Sequence, residues 1–203
     1  METVDSSLLS FIFSRFPRGA IFFAEDLEGC GLTPDGIRWS LASLVLRSDG
    51  IVRLGRGVYC IPKTIQGSGK LLIPSTEVIA NTLAARWKVR IAPCGAQVTY
   101  LAGLTGIQTH RYTWVSDGSS QVFHLQNGVT VQFIRRLSMK IFQFRDERLR
   151  NIVEAMRYLG KEGIGVRERG IIADALVHVS DDNFLHDVRL APLWIRELLS
   201  QLR

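Results

Sequence analysis

Apolar positions along the chain follow a helical spacing first, an alternating one in the middle, and a helical one again at the end. In the first third, Leu8, Leu9, Ile12, Phe13 and Phe16 recur at three- and four-residue intervals and predict a helix over residues 6–16. Pro17 and Gly19 stop it. Residues 20–22 are short and apolar and read as a strand. Residues 23–29 read as a short helix with Leu27 as its core position, and Gly29-Cys30-Gly31 as a turn. Thr33-Pro34 then pairs an N-cap side chain with proline at the first helical position. Ile37, Leu41, Leu44 and Val45 give the following helix one apolar face, and Asp49-Gly50 ends it. Ile51, Val52 and Leu54, then Gly55-Arg56-Gly57, then Val58, Tyr59 and Ile61 predict two short strands around a tight turn, closed by Pro62. Helix, strand, helix, turn, helix, hairpin is the order of a winged helix-turn-helix.

The glycine- and serine-containing stretch around residues 65–73 reads as a linker. Gly67-Ser68-Gly69-Lys70 lacks the leading glycine of a phosphate-binding loop. Beyond it, Pro74-Ser75 opens a helix reaching Trp87, residues 89–92 form a strand, and Pro93-Cys94-Gly95 starts a helix running to Ala102. Between residues 110 and 134 the period changes. Tyr112 and Trp114, then Val122, Phe123 and Leu125, then Val129, Val131 and Phe133 predict three antiparallel strands, with Asp117-Gly118 and Asn127-Gly128 as hairpin turns and residues 140–144 as a continuation. Helices are expected over residues 148–161, 166–177 and 191–202, and a capping turn at Asp181-Asp182. The fold class is therefore α+β: a winged helix-turn-helix over residues 1–66, then a mixed domain over 67–203 with an antiparallel sheet and C-terminal helices.

Composition narrows the functional classes. Among 203 residues 46% are hydrophobic and 22% charged, a globular rather than a disordered balance. No apolar run approaches the roughly 20 residues of a membrane span. Glu2 and Asp5 precede the first apolar segment, so a signal peptide is not expected. Three widely spaced cysteines, Cys30, Cys60 and Cys94, fit a reducing, cytoplasmic setting better than a disulfide framework. The four histidines form no metal-ligand spacing with each other or with cysteine. No nucleotide-binding or hydrolase signature occurs. Neither a metal nor a cofactor is expected, and the chain reads as a non-enzyme.

Net charge is +6, and its distribution matters more than its size. Residues 1–66 carry seven basic and seven acidic side chains, residues 67–150 eleven and four, and residues 151–203 seven and eight. On the expected recognition helix the outward positions are Asp35, Arg38, Trp39, Ser43 and Arg47, with Thr33 at the cap. Arg53, Arg56 and Lys63 lie on the hairpin and its exit. A helix polar on one side and apolar on the other suits the major groove, and cations on an adjoining hairpin suit phosphate or a narrow minor groove. Arg86, Lys88, Arg90, Arg111, Arg135, Arg136 and Lys140 supply a second basic surface that extends the footprint. Double-stranded DNA is the expected partner. The alternative is a protein-interaction module whose C-terminal domain docks a partner, with a relic winged helix.

Gly36-Ile37-Arg38, Leu41, Leu44, Gly50-Ile51, Arg53-Leu54-Gly55-Arg56-Gly57-Val58-Tyr59 and Pro62-Lys63 resemble the N-terminal winged helix of AbiEi-like antitoxins of type IV, abortive-infection toxin–antitoxin systems. The resemblance continues through Pro74-Ser75, Glu77-Val78-Ile79-Ala80, Pro93-Cys94-Gly95, Leu101-Ala102-Gly103-Leu104, Ser116-Asp117-Gly118 and Ala155-Met156-Arg157-Tyr158-Leu159-Gly160-Lys161. It implies an antitoxin that represses its own operon, beside a nucleotidyltransferase-like toxin that it need not touch. Two positions depart from the family: Ser43, where a basic residue is frequent, and Cys94, where threonine is usual.

Overall fold

The computed structural model describes residues 2–203. The chain is mixed α+β and divides into two compact units: residues 1–83 with 123–128, and residues 84–122 with 129–203. The division falls inside a helix rather than after residue 66.

In the first unit, helix α1 (Glu2–Arg15) precedes strand β1 (Ile21–Phe23), a 3-10 turn (Ala24–Leu27), helix α2 (Pro34–Leu46) and strands β2 (Val52–Gly55) and β3 (Val58–Cys60). The three strands form an antiparallel sheet in the order β1-β3-β2, with Phe22 opposite Tyr59 and Arg53 opposite Tyr59 on the other side. Residues 20–22 thus do join the hairpin. The core is Leu8, Ile12, Phe22, Leu27, Ile37, Leu41, Leu44, Ile51, Tyr59 and Ile61. The Phe16, Phe22 and Tyr59 rings stack along it, with centroids 5.2 and 5.7 Å apart. Helix α1 begins four residues before its expected start at Ser6, and Asp5 in its first turn is bonded to α2.

Residues 65–73 are not a linker. Strand β4 (Lys63–Thr64) pairs with β5 (Leu71–Leu72), and Ile65 N–H donates to the Lys70 carbonyl at 2.9 Å. Gly67 and Gly69 adopt φ of +89° and +65°, which closes the turn at no steric cost to a residue without Cβ. The glycines that suggest flexibility instead shape a ribbon.

The second unit starts within helix α3 (Thr76–Trp87) and contains strands β6 (Ile91–Cys94), β7 (Arg111–Ser116) and β9 (Thr130–Arg135) with the first two residues of β8 (Gln121–His124); the sheet order is β6-β7-β9-β8. Pro93 and Cys94 therefore end a strand rather than open a helix, and Gly95 caps helix α4 (Ala96–Leu101). The expected antiparallel run fails at β7 and β9, which are parallel, Arg111 opposite Thr130 and Ser116 opposite Arg135. The cause is Asp117-Gly118, which is no hairpin turn. Asp117 accepts from Arg90 N–H at 2.8 Å and from Arg90 Nε at 2.7 Å, and a Cβ on Gly118 would lie 2.5 Å from Val89. The chain is thus tied down beside residues 89–90, and β8 comes to lie next to β9 rather than β7. Residues 140–144 are not a strand either. A 3-10 turn (Lys140–Gln143) buries Ile141 against Ala92, Cys94 and Val115.

Helices α5 (Glu147–Leu159), α6 (Val166–Leu176), α7 (Asp181–Asp187) and α8 (Leu193–Leu202) enclose a second core built on Val98, Leu149, Ile152, Val153, Met156, Ile172, Phe184, Ile195 and Leu199. Asp146 caps α5 by accepting from Leu149 N–H at 3.0 Å, and Gly160 ends it at φ +73°. Ser180 caps α7. Seven residues give too little periodicity to reveal that helix in the sequence.

Candidate nucleic-acid interface

Helix α2 starts where its sequence directs. The Thr33 hydroxyl accepts from Gly36 N–H at 3.2 Å, Pro34 occupies the first turn, and Asp35 faces the positive end of the helix dipole. Ile37, Leu41 and Leu44 are buried, which fixes the opposite side as the outward one. Along that side run Asp35, Arg38, Trp39, Ala42 and Leu46. Arg38 is 72% exposed and pairs with Asp35 at 2.8 Å. An exposed pair of this kind is weak, at most about 1 kcal/mol, so Arg38 is readily released to another acceptor. Trp39 is 78% exposed and Leu46 85%.

Two of the expected outward residues are bonded to α1. The Ser43 hydroxyl donates to Asp5 Oδ2 at 2.9 Å, and Arg47 Nη2 donates to the same oxygen at 3.0 Å. Arg47 Nε also meets Asp49 at 3.0 Å. Asp5 is only 2% exposed. These side chains tie α2 to α1; Ser43 is half-buried, whereas Arg47 keeps 40% of its side chain exposed. The helical period points to this, since Ser43 lies two residues from Leu41 and one from Leu44. What it conceals is a carboxylate 38 residues away.

The hairpin is equally constrained. Arg56 is exposed at its two-residue tip, with Gly57 at φ +72°. Arg53 is half-buried and folds back to donate through Nε to the Gly55 carbonyl at 3.2 Å. Residues 123–128 complete this unit: Gln126 N–H donates to the Leu54 carbonyl at 3.0 Å, and the Phe123 ring fills the place where a side chain on Gly55 would stand. Lys63 lies on the ribbon, its methylenes against Gly19, and not on the hairpin. The expected residues that are exposed on α2 and the hairpin are therefore Thr33, Asp35, Arg38, Trp39, Arg47 and Arg56, and Ala42 and Leu46 join them although they are apolar.

The second basic surface is dispersed. Arg86, Lys88, Arg111, Arg135 and Lys140 are exposed. Arg111 and Arg135 occupy opposite ends of the β7–β9 ladder, about 16 Å apart at 3.3 Å per residue. Arg90 is bound to Asp117 and lies over the Phe142 ring at 4.9 Å. Arg136 is half-buried against Glu154. Burial pushes the Cys60 and Cys94 thiols up to about 11, so neither is a thiolate at neutral pH.

The Ser43 hydrogen bond, aided by Ser40 and Arg47, outweighs burial and holds the Asp5 carboxyl below its ordinary 3.8. A depressed carboxylate contributes stability above its unfolded pKa and loses it as pH falls through the lower folded value. The protein is therefore expected to lose stability below about pH 4, and Asp5→Asn to flatten that part of the profile. Thermal melts from pH 3 to 7 check this. A variant whose profile parallels the wild type would remove Asp5 from the account.

A family model described as a family of unknown function, DUF6088, matches residues 10–184. The chain belongs to the DUF6088 family. Among solved structures, this DUF6088 member is similar in fold to the RV2827C protein from Mycobacterium tuberculosis, with a TM-score of 0.54 and 17% identity over 98% of this chain and 76% of that one. No curated protein matches it. Among the described residues no helix is long and apolar enough to cross a membrane.

Proposed function

We propose that this chain is a cytoplasmic duplex-DNA-binding protein of the winged helix-turn-helix type, a transcriptional repressor acting as the antitoxin of a type IV system. The observation that carries the DNA reading is α2 itself. It is capped at its start, fixed through Asp5 and a buried face, and presents Arg38 from the N-terminal half of its exposed side, with Arg56 exposed on the hairpin that follows. Recognition helices meet base edges with their N-terminal residues, and arginine is the commonest reader of guanine. The antitoxin role rests on the resemblance to AbiEi-like proteins, which also implies a nucleotidyltransferase-like toxin encoded nearby without obligatory contact.

Binding to a duplex from the upstream region of its own gene is expected to weaken with salt. The slope of log K against log salt should be about −4 to −5, for four to six phosphate contacts at roughly −0.9 each. Arg38→Ala should cost about 1–3 kcal/mol on that duplex and much less on a scrambled one, whereas Arg56→Ala should weaken both alike and reduce the slope by about 1. Affinity that stays flat with salt would defeat the DNA reading. An unchanged ratio between the two duplexes in Arg38→Ala would remove Arg38 from base contact.

A further inference from the structure

The outward side of α2 is not simply polar. Trp39, Ala42 and Leu46 follow at steps of three and four and form one continuous apolar row. Trp39 and Leu46 are among the most exposed large apolar side chains of the protein, while the opposite face of the same helix is fully packed. At 1.5 Å per residue the row spans about 10 Å, or roughly three base steps at 3.4 Å each. It is too small for a protein partner. An aromatic side chain buries at most about 250 Å², so one tryptophan, one leucine and one alanine fall well short of the roughly 800 Å² per side of a stable interface. Arg38 beside the row, once released from Asp35, and Arg56 on the hairpin supply positive charge suited to a polyanion. The major groove offers such a row one apolar feature, the C5-methyl group of thymine.

The geometry points to thymine methyl groups as the ligand of Trp39, Ala42 and Leu46, making this row a specificity determinant for runs of A·T pairs. The inference rests on the DNA reading given above. It separates the labour on α2: Arg38 supplies a polar contact near the helix start, and the apolar row selects methyl-bearing pairs along the rest.

The test uses the full chain and four 24-base-pair duplexes: alternating dA·dT, the same with deoxyuridine for thymidine, alternating dG·dC, and the same with 5-methylcytosine. Deoxyuridine removes only the methyl, and 5-methylcytosine restores it on a different pair. Burying one methyl is worth about fourfold in affinity, so two buried methyls should favour dA·dT over dA·dU by about sixteenfold, with methylated dG·dC favoured over plain dG·dC. In Trp39→Ala/Leu46→Ala, both at exposed positions, the ratio of dA·dT to dA·dU affinity should fall to about one. Equal, salt-dependent binding of dA·dT and dA·dU by the wild type would overturn the thymine assignment and leave the DNA reading standing. No binding to any duplex would overturn both. A ratio that survives in the double variant would overturn the assignment to these residues. A concentration-dependent dimer lost in that variant would give the row to a second copy of the chain instead.

Discussion

Asp187→Ala is expected to lower the stability of the second unit by about 2–4 kcal/mol, since it leaves two backbone amides without their acceptor. Asp187 is fully buried at the end of α7. Its carboxylate accepts from Arg145 N–H at 2.9 and 3.0 Å and from Asp146 N–H at 2.8 Å, and His186 Nδ1 lies 2.7 Å from Oδ1. Both amides belong to the segment that leads into α5, and Asp146 is the residue that caps that helix. Each shielded amide stripped of its acceptor costs about 1–2 kcal/mol. Asp187→Asn keeps the shape and one acceptor oxygen, so it should fall between wild type and alanine. Urea unfolding measures the order: the midpoint should shift with an unchanged slope, alanine furthest. A shift below about 1 kcal/mol for alanine would mean that water or a rearranged segment replaces the carboxylate.

That example also marks where the sequence stops being legible. Local signals were sufficient for α2, whose cap, proline and apolar spacing all lie within thirteen residues, and for the strands on either side of Gly57. They were sufficient for α5 and for the turn at Gly128. They failed wherever a polar side chain is fixed by a distant element. Asp187 meets Asp146 across 41 residues and Asp5 meets Ser43 across 38. Asp117 reads as a hairpin turn because its bond to Arg90, 27 residues back, leaves no trace in composition. The same blindness shaped the candidate interface. Ser43 looks like an outward polar position but is half-buried against Asp5, while Ala42 and Leu46, which are apolar, are exposed. On a marginal helix face, polarity alone does not say which way a side chain points; the partner decides.

Arg136 shows the consequence for the basic surface. By charge it belongs with Arg135 and Lys140, but it is only 32% exposed and bonds Glu154 at 2.6 Å. Glu154 projects from α5, is 3% exposed, and has Arg157 Nε as a second, longer partner at 3.4 Å. The two single replacements should therefore differ. Arg136→Leu strands a buried carboxylate with one distant cation and is expected to cost about 3 kcal/mol, within the usual range for breaking a buried pair. Glu154→Leu leaves an arginine that can turn toward solvent, and should cost about half as much. The double replacement should recover most of the loss, because a packed apolar pair avoids the desolvation that both charges suffer. Urea midpoints for the four proteins give the cycle directly. The same proteins separate a structural arginine from a DNA-binding one. Arg136→Leu should leave the salt dependence of duplex binding unchanged, in contrast to the loss of about one unit of slope expected for Arg56→Ala. Equal costs for the two single variants would show that Glu154 is relieved by another donor. A slope that falls in Arg136→Leu would return Arg136 to the DNA-facing surface.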